Sequence, residues 1–135
     1  MSAHTIVLPW TNPPLNLNDS GATKGAKMAR ADKIKDVRRT AHVLAQAAWL
    51  PKDVGHAAVQ LHLRPARAGR RDTDNLIATA KPIYDGLVDY GLVPDDIPQH
   101  MAKLEPVIHR HKAGLDVTRM WLEITTTDTP RELPA

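Results

Sequence analysis

The spacing of apolar and polar side chains along the chain predicts six regular elements. In chain order they are a strand over 5–10, a helix over 28–50, a strand over 56–64, a helix over 75–90, and strands over 100–112 and 117–127. The first helix has apolar residues at helical spacing and stops at Pro51, and the second ends at Gly91. In the 56–64 strand Val59, Leu61 and Leu63 share one face, as expected for a strand covered on one side.

The order β-α-β-α-β-β predicts an α+β fold, with a small mixed sheet and two helices packed on it. Met120, Leu122 and Ile124 are expected to line the core from the last strand. Two prolines complicate this pattern. Pro82 requires the second helix to kink or to begin there, and Pro106 makes the 100–112 strand an edge strand or a bulged one.

The whole chain, 1–135, has the length of a single domain. Polar and glycine-rich composition predicts a mobile basic loop over about 11–27, and the tail over about 128–135 is expected to fray. Three tryptophans stand in a chain without phenylalanine, so we expect them in the core rather than stacked on bases.

Composition excludes several classes of protein. Hydrophobic residues make up 42% of the chain, and no apolar run approaches the roughly 20 residues of a membrane span, so no membrane partner is expected. The opening MSAHTIVLPW lacks the features of a secretory signal. The absence of cysteine excludes disulfides and thiolate metal sites, and we expect a cytoplasmic location.

Basic residues fall into two clusters in a chain of formal net charge +3. The first cluster comprises Lys24, Lys27, Arg30, Lys33, Lys35, Arg38 and Arg39. The second comprises Arg64, Arg67, Arg70 and Arg71. Either cluster alone is typical of a solvated face, but the position of the second beside an acidic motif favours phosphate binding.

The acidic motif is split between the two ends of the second helix. Asp72 and Asp74 precede the helix, and Asp96 lies in the loop that leaves it, so all three converge if the helix packs back on the sheet. Carboxylate oxygens suit Mg²⁺. The alternative is structural, with Asp74 as the N-cap of the helix and Asp95-Asp96 as a turn. An EF-hand calcium loop is excluded, because the glycine and glutamate that it needs are missing.

Two further sets of residues are open to either interpretation. Lys81 stands seven positions after Asp74, on nearly the same helix face as Asp74 and Asp85. It is then either catalytic or half of an exposed pair with Asp85. His109 and His111 alternate on a predicted strand, where a solvated face is more common than a metal site.

The segment RRDTDNLIATAKPIYDGLVDYGLVPDD, from Arg70 to Asp96, resembles the RusA family of Holliday junction resolvases. The signature of that family is an arginine-rich stretch, Asp-x-Asp-Asn, a helix with a lysine and Asp-[Ala/Gly]-Leu, and then Asp-Asp. The opening strand, which ends in Leu-Pro-Trp before a Pro/Asn-rich loop, is also similar. The resemblance covers about residues 5–125, and its specific part is 70–96.

The resemblance implies that Asp72, Asp74 and Asp96 bind the metal and that Lys81 is the essential lysine, with Asp95 and Asp85 as secondary candidates. The chain departs from the compact motif by about three extra residues before the lysine, which leaves Ala78 in the position of the family's lysine. Counting back from Asp85 restores Lys81.

The function implied by the resemblance is Mg²⁺-dependent hydrolysis of DNA, with Mn²⁺ as a possible substitute, by paired nicks in a four-way junction. A junction with two-fold symmetry predicts a homodimer, since one chain carries one acidic cluster. The candidate phosphate contacts are Arg67, Arg70, Arg71, Lys24, Lys27 and Arg30. The alternatives are a junction-binding dimer without activity and a nuclease for branched DNA in general.

Overall fold

The computed structural model describes residues 1–15, 23–69, 71–114 and 117–134. The elements are β1 Ser2–Val7, α1 Lys24–Ala47, β2 His56–Leu63, α2 Asp74–Tyr90, β3 Met101–Lys103, β4 Val107–Ile108 and β5 Met120–Thr127. They form a mixed sheet with two helices packed on it, so the predicted α+β class is confirmed.

The sheet runs in the order β1-β5-β2-β3, and β4 also pairs with β2. β5 is antiparallel to both β1 and β2, whereas β3 and β4 are parallel to β2. Met120, Leu122 and Ile124 are buried, as predicted. In the pairing register, Leu122 lies opposite both Ile6 and Leu61, so one face of the sheet is apolar across its width.

The predicted strand over 100–112 is divided by Pro106. Leu104 N–H still donates to Val59 O (3.0 Å), but Pro106 has no N–H to continue the ladder. The Gln60 side chain donates to Glu105 O (2.9 Å), and pairing resumes at Val107. The edge predicted from Pro106 is therefore two short strands with a break between them.

Three predicted boundaries are corrected. β1 begins and ends earlier than 5–10, although Leu8 N–H still donates to Met120 O (3.0 Å). α1 begins at Lys24 rather than 28, because Thr23 Oγ1 accepts the Ala26 N–H (3.1 Å) and caps it. Lys24 to Lys27 therefore belong to a helix. In the rest of the expected mobile loop, the structure describes residues 11–15, whereas residues 16–22 lie outside the described residues.

The segment after β1 is anchored at Leu15, which is fully buried. Its N–H donates to Thr79 Oγ1 (3.3 Å), and the Thr79 hydroxyl donates to Leu15 O (3.1 Å). At the other end of the chain, Arg131 N–H donates to Gln99 O (2.8 Å), so part of the tail expected to fray is hydrogen-bonded to the fold.

α2 is continuous from Asp74 to Tyr90 and contains Pro82, so it does not begin at the proline. It ends at Gly91, whose φ of 97° is the left-handed conformation that favours glycine. Gly86 faces α1 so closely that a Cβ there would overlap the Arg38 carbonyl oxygen. The Arg38 guanidinium makes two hydrogen bonds to Asp89 (2.6 and 2.8 Å), which joins the two helices at the same level.

The tryptophans do not all lie in the core. Trp10 packs against it, but Trp49 is 89% exposed just after α1, which contradicts the prediction for this residue. Trp121 lies on the sheet face opposite the buried Leu122 and is half-buried. Among the described helices, neither combines the length and the apolar character needed to cross a membrane.

Candidate active site

The N-terminus of α2 holds the first two predicted site residues. Asp74 N–H donates to Asp72 Oδ1 (3.0 Å), which makes a tight aspartate turn into the helix. The N-cap is Thr73, not Asp74 as predicted, and Thr73 makes no side-chain capping bond. Asp74 is the first residue of the helix, and both aspartates are exposed. The positive end of the helix dipole stabilises their negative charge.

Asp96 lies in the loop that follows α2, where its backbone N–H donates to Asp95 Oδ1 (2.7 Å). Its Oδ2 accepts from two ammonium groups, Lys103 Nζ at 2.9 Å and Lys81 Nζ at 3.2 Å. The Asp96 side chain is only 22% exposed, so these contacts are partly shielded from water. The structure thus brings together two residues that stand 15 positions apart, Lys81 and Asp96.

Both partners of this ion pair keep their charge at neutral pH. Hydrogen bonds from Lys103 and then Lys81 lower the pKa of Asp96 to about 2. The hydrogen bond to Asp96 raises the pKa of Lys81, against the opposing effect of burial. The Lys81 side chain is 63% exposed, so its ion pairs contribute little to the stability of the fold. What they do is hold the Lys81 ammonium group in one position.

Lys81 also contacts Asp85, one turn further along α2, with Nζ 3.4 Å from Oδ1. Because α2 is continuous through Pro82, the proline leaves Lys81 on the helix face that carries Asp85 and meets Asp96. Ala78 lies one turn before Lys81 and carries no ionisable group. Of the two positions considered for the lysine, Lys81 is therefore the one whose ammonium group contacts Asp96.

Lys103 is a site residue that the sequence did not reveal. It is the last residue of β3, a three-residue strand whose position next to α2 depends on its parallel pairing with β2. Its ammonium also lies 5.5 Å from the centroid of the Tyr84 ring. A lysine at one end of a short edge strand has no local pattern that distinguishes it from a solvated one.

A cleft of about 520 Å³ opens beside these charges. Its polar wall carries Lys81, Lys103 and Glu105, and its apolar wall includes Ile77, Tyr84 and Leu104. Burial raises the pKa of the Tyr84 hydroxyl, so this group stays protonated and is a hydrogen-bond donor at neutral pH. The cleft thus combines two cations, one carboxylate and one phenol with an apolar wall.

The three predicted metal ligands are not assembled into one group. Within the described residues, no three His, Cys, Asp or Glu side chains lie close enough together to hold a metal ion. Asp72 contacts Asp74 at one end of α2, and Asp96 is held by two lysines. Carboxylate oxygens have the chemistry that Mg²⁺ requires, and here they stand in two separate places, at the start of α2 and in the loop after it.

The predicted DNA contacts lie in two places. Lys24 and Lys27 are exposed and Arg30 is half-buried, all in the first two turns of α1. Arg67 and Arg71 are exposed on the segment between β2 and α2, directly before Asp72. Arg70 lies outside the described residues. Arg71, in the second group, directly precedes the acidic turn at Asp72 in the chain.

Comparison with known proteins does not identify the chain. No protein-family model matches it, and no curated protein matches its sequence.

Proposed function

We propose that this protein is a Mg²⁺-dependent endodeoxyribonuclease that cuts branched DNA, with the four-way junction as its substrate. The observation that supports the proposal is the contact between Lys81 Nζ and Asp96 Oδ2 at 3.2 Å. The sequence predicts these residues as the essential lysine and the third aspartate of a RusA-like site. Their contact agrees with that prediction, and Ala78, the other position considered for the lysine, carries no ammonium group.

The proposed chemistry uses the cations of the cleft on the scissile phosphate. Hydrolysis of a phosphodiester places extra negative charge on the phosphate in the transition state, and preorganised cations lower that barrier. Lys81 and Lys103 share one carboxylate oxygen, so a phosphate that reaches the cleft meets two ammonium groups already positioned. Asp96 keeps both lysines in place before the substrate binds.

Asp72, Asp74 and Asp96 would hold the Mg²⁺, which supplies an activated water and neutralises charge on the leaving oxygen. For this, Asp96 would have to exchange at least one lysine contact for the metal.

The proposed assembly is a homodimer. A four-way junction has approximate two-fold symmetry and needs two nicks, and two chains related by a two-fold axis present two sites to it. A DNA substrate also agrees with a cytoplasmic location. Light scattering after size-exclusion chromatography distinguishes a dimer from a monomer of 14.9 kDa.

The test uses the full chain with a mobile four-way junction and a linear duplex of the same sequence. In Mg²⁺ we expect symmetric nicks in the junction and an intact duplex, with no cleavage in EDTA. Asp74→Asn and Asp96→Asn should abolish cutting, whereas Asp128→Asn, a change at an exposed aspartate after β5, should retain it. A junction that survives in both Mg²⁺ and Mn²⁺, or an Asp74→Asn protein as active as the parent, contradicts the proposal.

One observation favours a second candidate, a junction-binding dimer without catalytic activity. The three carboxylates are not grouped, and two lysines bind Asp96 where a metal would be needed. Tight junction binding without cleavage in either metal selects this candidate. Equal cutting of junctions, replication forks and flaps selects instead a nuclease for branched DNA in general.

A further inference from the structure

A groove lined by cations lies beside the segment that follows β4. It consists of two adjoining clefts, of about 530 and 410 Å³, which share His109, Arg110 and His111. The first is also lined by Arg64 and Lys112, and the second by Arg67 and Arg71. Among the described residues that line this basic groove, none is acidic.

The backbone beneath the groove is held by hydrogen bonds. His109 N–H donates to Leu63 O (2.8 Å) and Lys112 N–H donates to Pro65 O (3.3 Å), so the segment continues beside the end of β2. The Arg119 guanidinium donates to Lys112 O (2.6 Å) and Gly114 O (3.0 Å). The cationic side chains thus stand on a braced segment, which lowers the entropic cost of binding.

Aromatic rings pack against His109, which lines both clefts. The rings of His62 and His109 stack on Trp121, with centroids 5.1 and 4.9 Å from it, and the Arg64 guanidinium lies 5.1 Å from the same ring. Glu123 is turned toward these rings, with Oε2 3.1 Å from His62 Nε2 but without the alignment of a hydrogen bond. Among the described residues, no tryptophan, tyrosine or phenylalanine lines either cleft.

The two histidine rings make a direct contact through their nitrogens. His109 Nε2 and His62 Nδ1 are 2.8 Å apart, so one nitrogen donates to the other. If His109 donates, the proton of His62 lies on Nε2 and faces Glu123 Oε2 at 3.1 Å, outside hydrogen-bond alignment. Arg110 and Lys112 are exposed, and no acidic residue is among the described residues that line the groove.

We propose that the basic groove binds the sugar-phosphate backbone of a DNA strand and leads that strand to the acidic turn at Asp72. The choice of DNA as the anion rests on the proposed function. The groove supplies cations, and no tryptophan, tyrosine or phenylalanine is among its described lining residues, which suits phosphates rather than bases. Its arginine side ends at Arg71, and the next residue is Asp72.

The test measures binding of a labelled four-way junction and a labelled linear duplex by fluorescence anisotropy, in EDTA, over about 50–200 mM salt. The variant is Arg110→Gln/Lys112→Gln, which changes two exposed side chains of the groove. Its matched control, Lys52→Gln/Arg131→Gln, removes the same charge from exposed positions outside the groove. Unchanged thermal unfolding verifies that both variants fold.

The groove variant should reduce the slope of log K against log salt by about 2, and the affinity at 0.1 M salt by on the order of tenfold for each lost contact. The control should keep both values. Equal losses of affinity in the two variants, or no loss in either, overturn the proposal that the basic groove binds DNA. If the groove variant loses affinity but the parent protein leaves the junction uncut in Mg²⁺ and Mn²⁺, only the proposed nuclease activity is contradicted. If the parent protein cuts the junction but the groove variant binds it normally, only the proposed DNA binding by the groove is contradicted.

Discussion

The ammonium of Lys103 lies 2.9 Å from Asp96 Oδ2, closer than the ammonium of Lys81, at 3.2 Å from the same oxygen. One carboxylate therefore joins an edge strand and a helix that are separate in the chain. Its charge is maintained by two cations, and its titration reports on both contacts.

Lys103→Met is expected to raise the pKa of Asp96 from about 2 toward its ordinary value of 3.8, since the Lys103 hydrogen bond is the largest cause of the shift. Lys81→Met should raise it less. Because the pKa is depressed, this ion pair stabilises the fold above pH 3.8 and ceases to do so as the pH falls through about 2. Carboxyl-carbon NMR during an acid titration measures the pKa directly, and Lys52→Met should leave it in place. An unchanged Asp96 titration in Lys103→Met would refute the contact.

Gly86→Ala is expected to destabilise the protein by about 1–3 kcal/mol, because the added methyl overlaps the Arg38 carbonyl oxygen and forces α1 and α2 apart. The matched control is Gly25→Ala in α1, where a Cβ meets no atom within 4 Å. That change should be neutral or stabilising by up to about 1 kcal/mol, since alanine favours a helix. Urea unfolding of the two variants measures both effects, and similar results for the two would contradict the close helix contact.

Elements of this fold that depend on residues close together in the chain could be predicted, whereas features that depend on residues far apart in the chain could not. The α2 stripe and the alternation in β5 are local patterns, and both elements occur within a few residues of their predicted positions. The burial of His62, by contrast, depends on Trp121 and His109, which stand far from it in the chain, and its polar character predicts exposure. Strand alternation places His62 on the face opposite Val59 and Leu61, where a polar residue is expected to be exposed, and that expectation is wrong.

The residues of the candidate site also divide into those that local spacing predicts and those that it does not. Asp72, Asp74 and Lys81 lie on or beside one helix, so their spacing was informative, and Asp96 follows the same helix. Lys103 contacts Asp96, and it is brought there by the parallel pairing of β3 with β2, which no local pattern encodes. The N-cap was assigned to Asp74 instead of Thr73, because both residue types cap helices and the turn formed by Asp72 decides between them.

Thr79→Val is expected to destabilise the protein by about 1–3 kcal/mol, because it leaves the N–H and C=O of the buried Leu15 without their partner. Thr79→Ser retains the hydroxyl and should lose much less stability. Denaturant unfolding compares the two, and hydrogen exchange at the Leu15 amide should accelerate in the valine variant alone. Equal stability of the valine and serine proteins would show that the hydroxyl does not anchor this segment.

Acidification is expected to weaken the fold through two histidines. Burial lowers the pKa of His56 and of His109 below 6.5, so the unfolded chain binds protons more readily than the folded one. Stability contributed by the neutral rings is complete above pH 6.5 and is lost as the pH falls toward the folded pKa. The loss between pH 7.5 and 5.5, measured by urea unfolding, should be smaller in His109→Gln than in the parent. His111→Gln, at an exposed neighbour, is the control, and identical losses in all three proteins would contradict the shift.

The position of the lysine on α2 is the sharpest test of the proposed activity. Lys81→Met should reduce single-turnover cleavage of the junction by about 10²–10³-fold, the cost of removing one preorganised donor from a transition state, and leave junction binding in EDTA nearly unchanged. Ala78→Lys/Lys81→Ala restores the lysine one turn earlier, about 4.5 Å along the helix axis and away from Asp96. That protein should remain inactive, although it has the same composition of charges. Recovery of cleavage in the double variant would show that the contact between Lys81 and Asp96 is not what positions the lysine for chemistry.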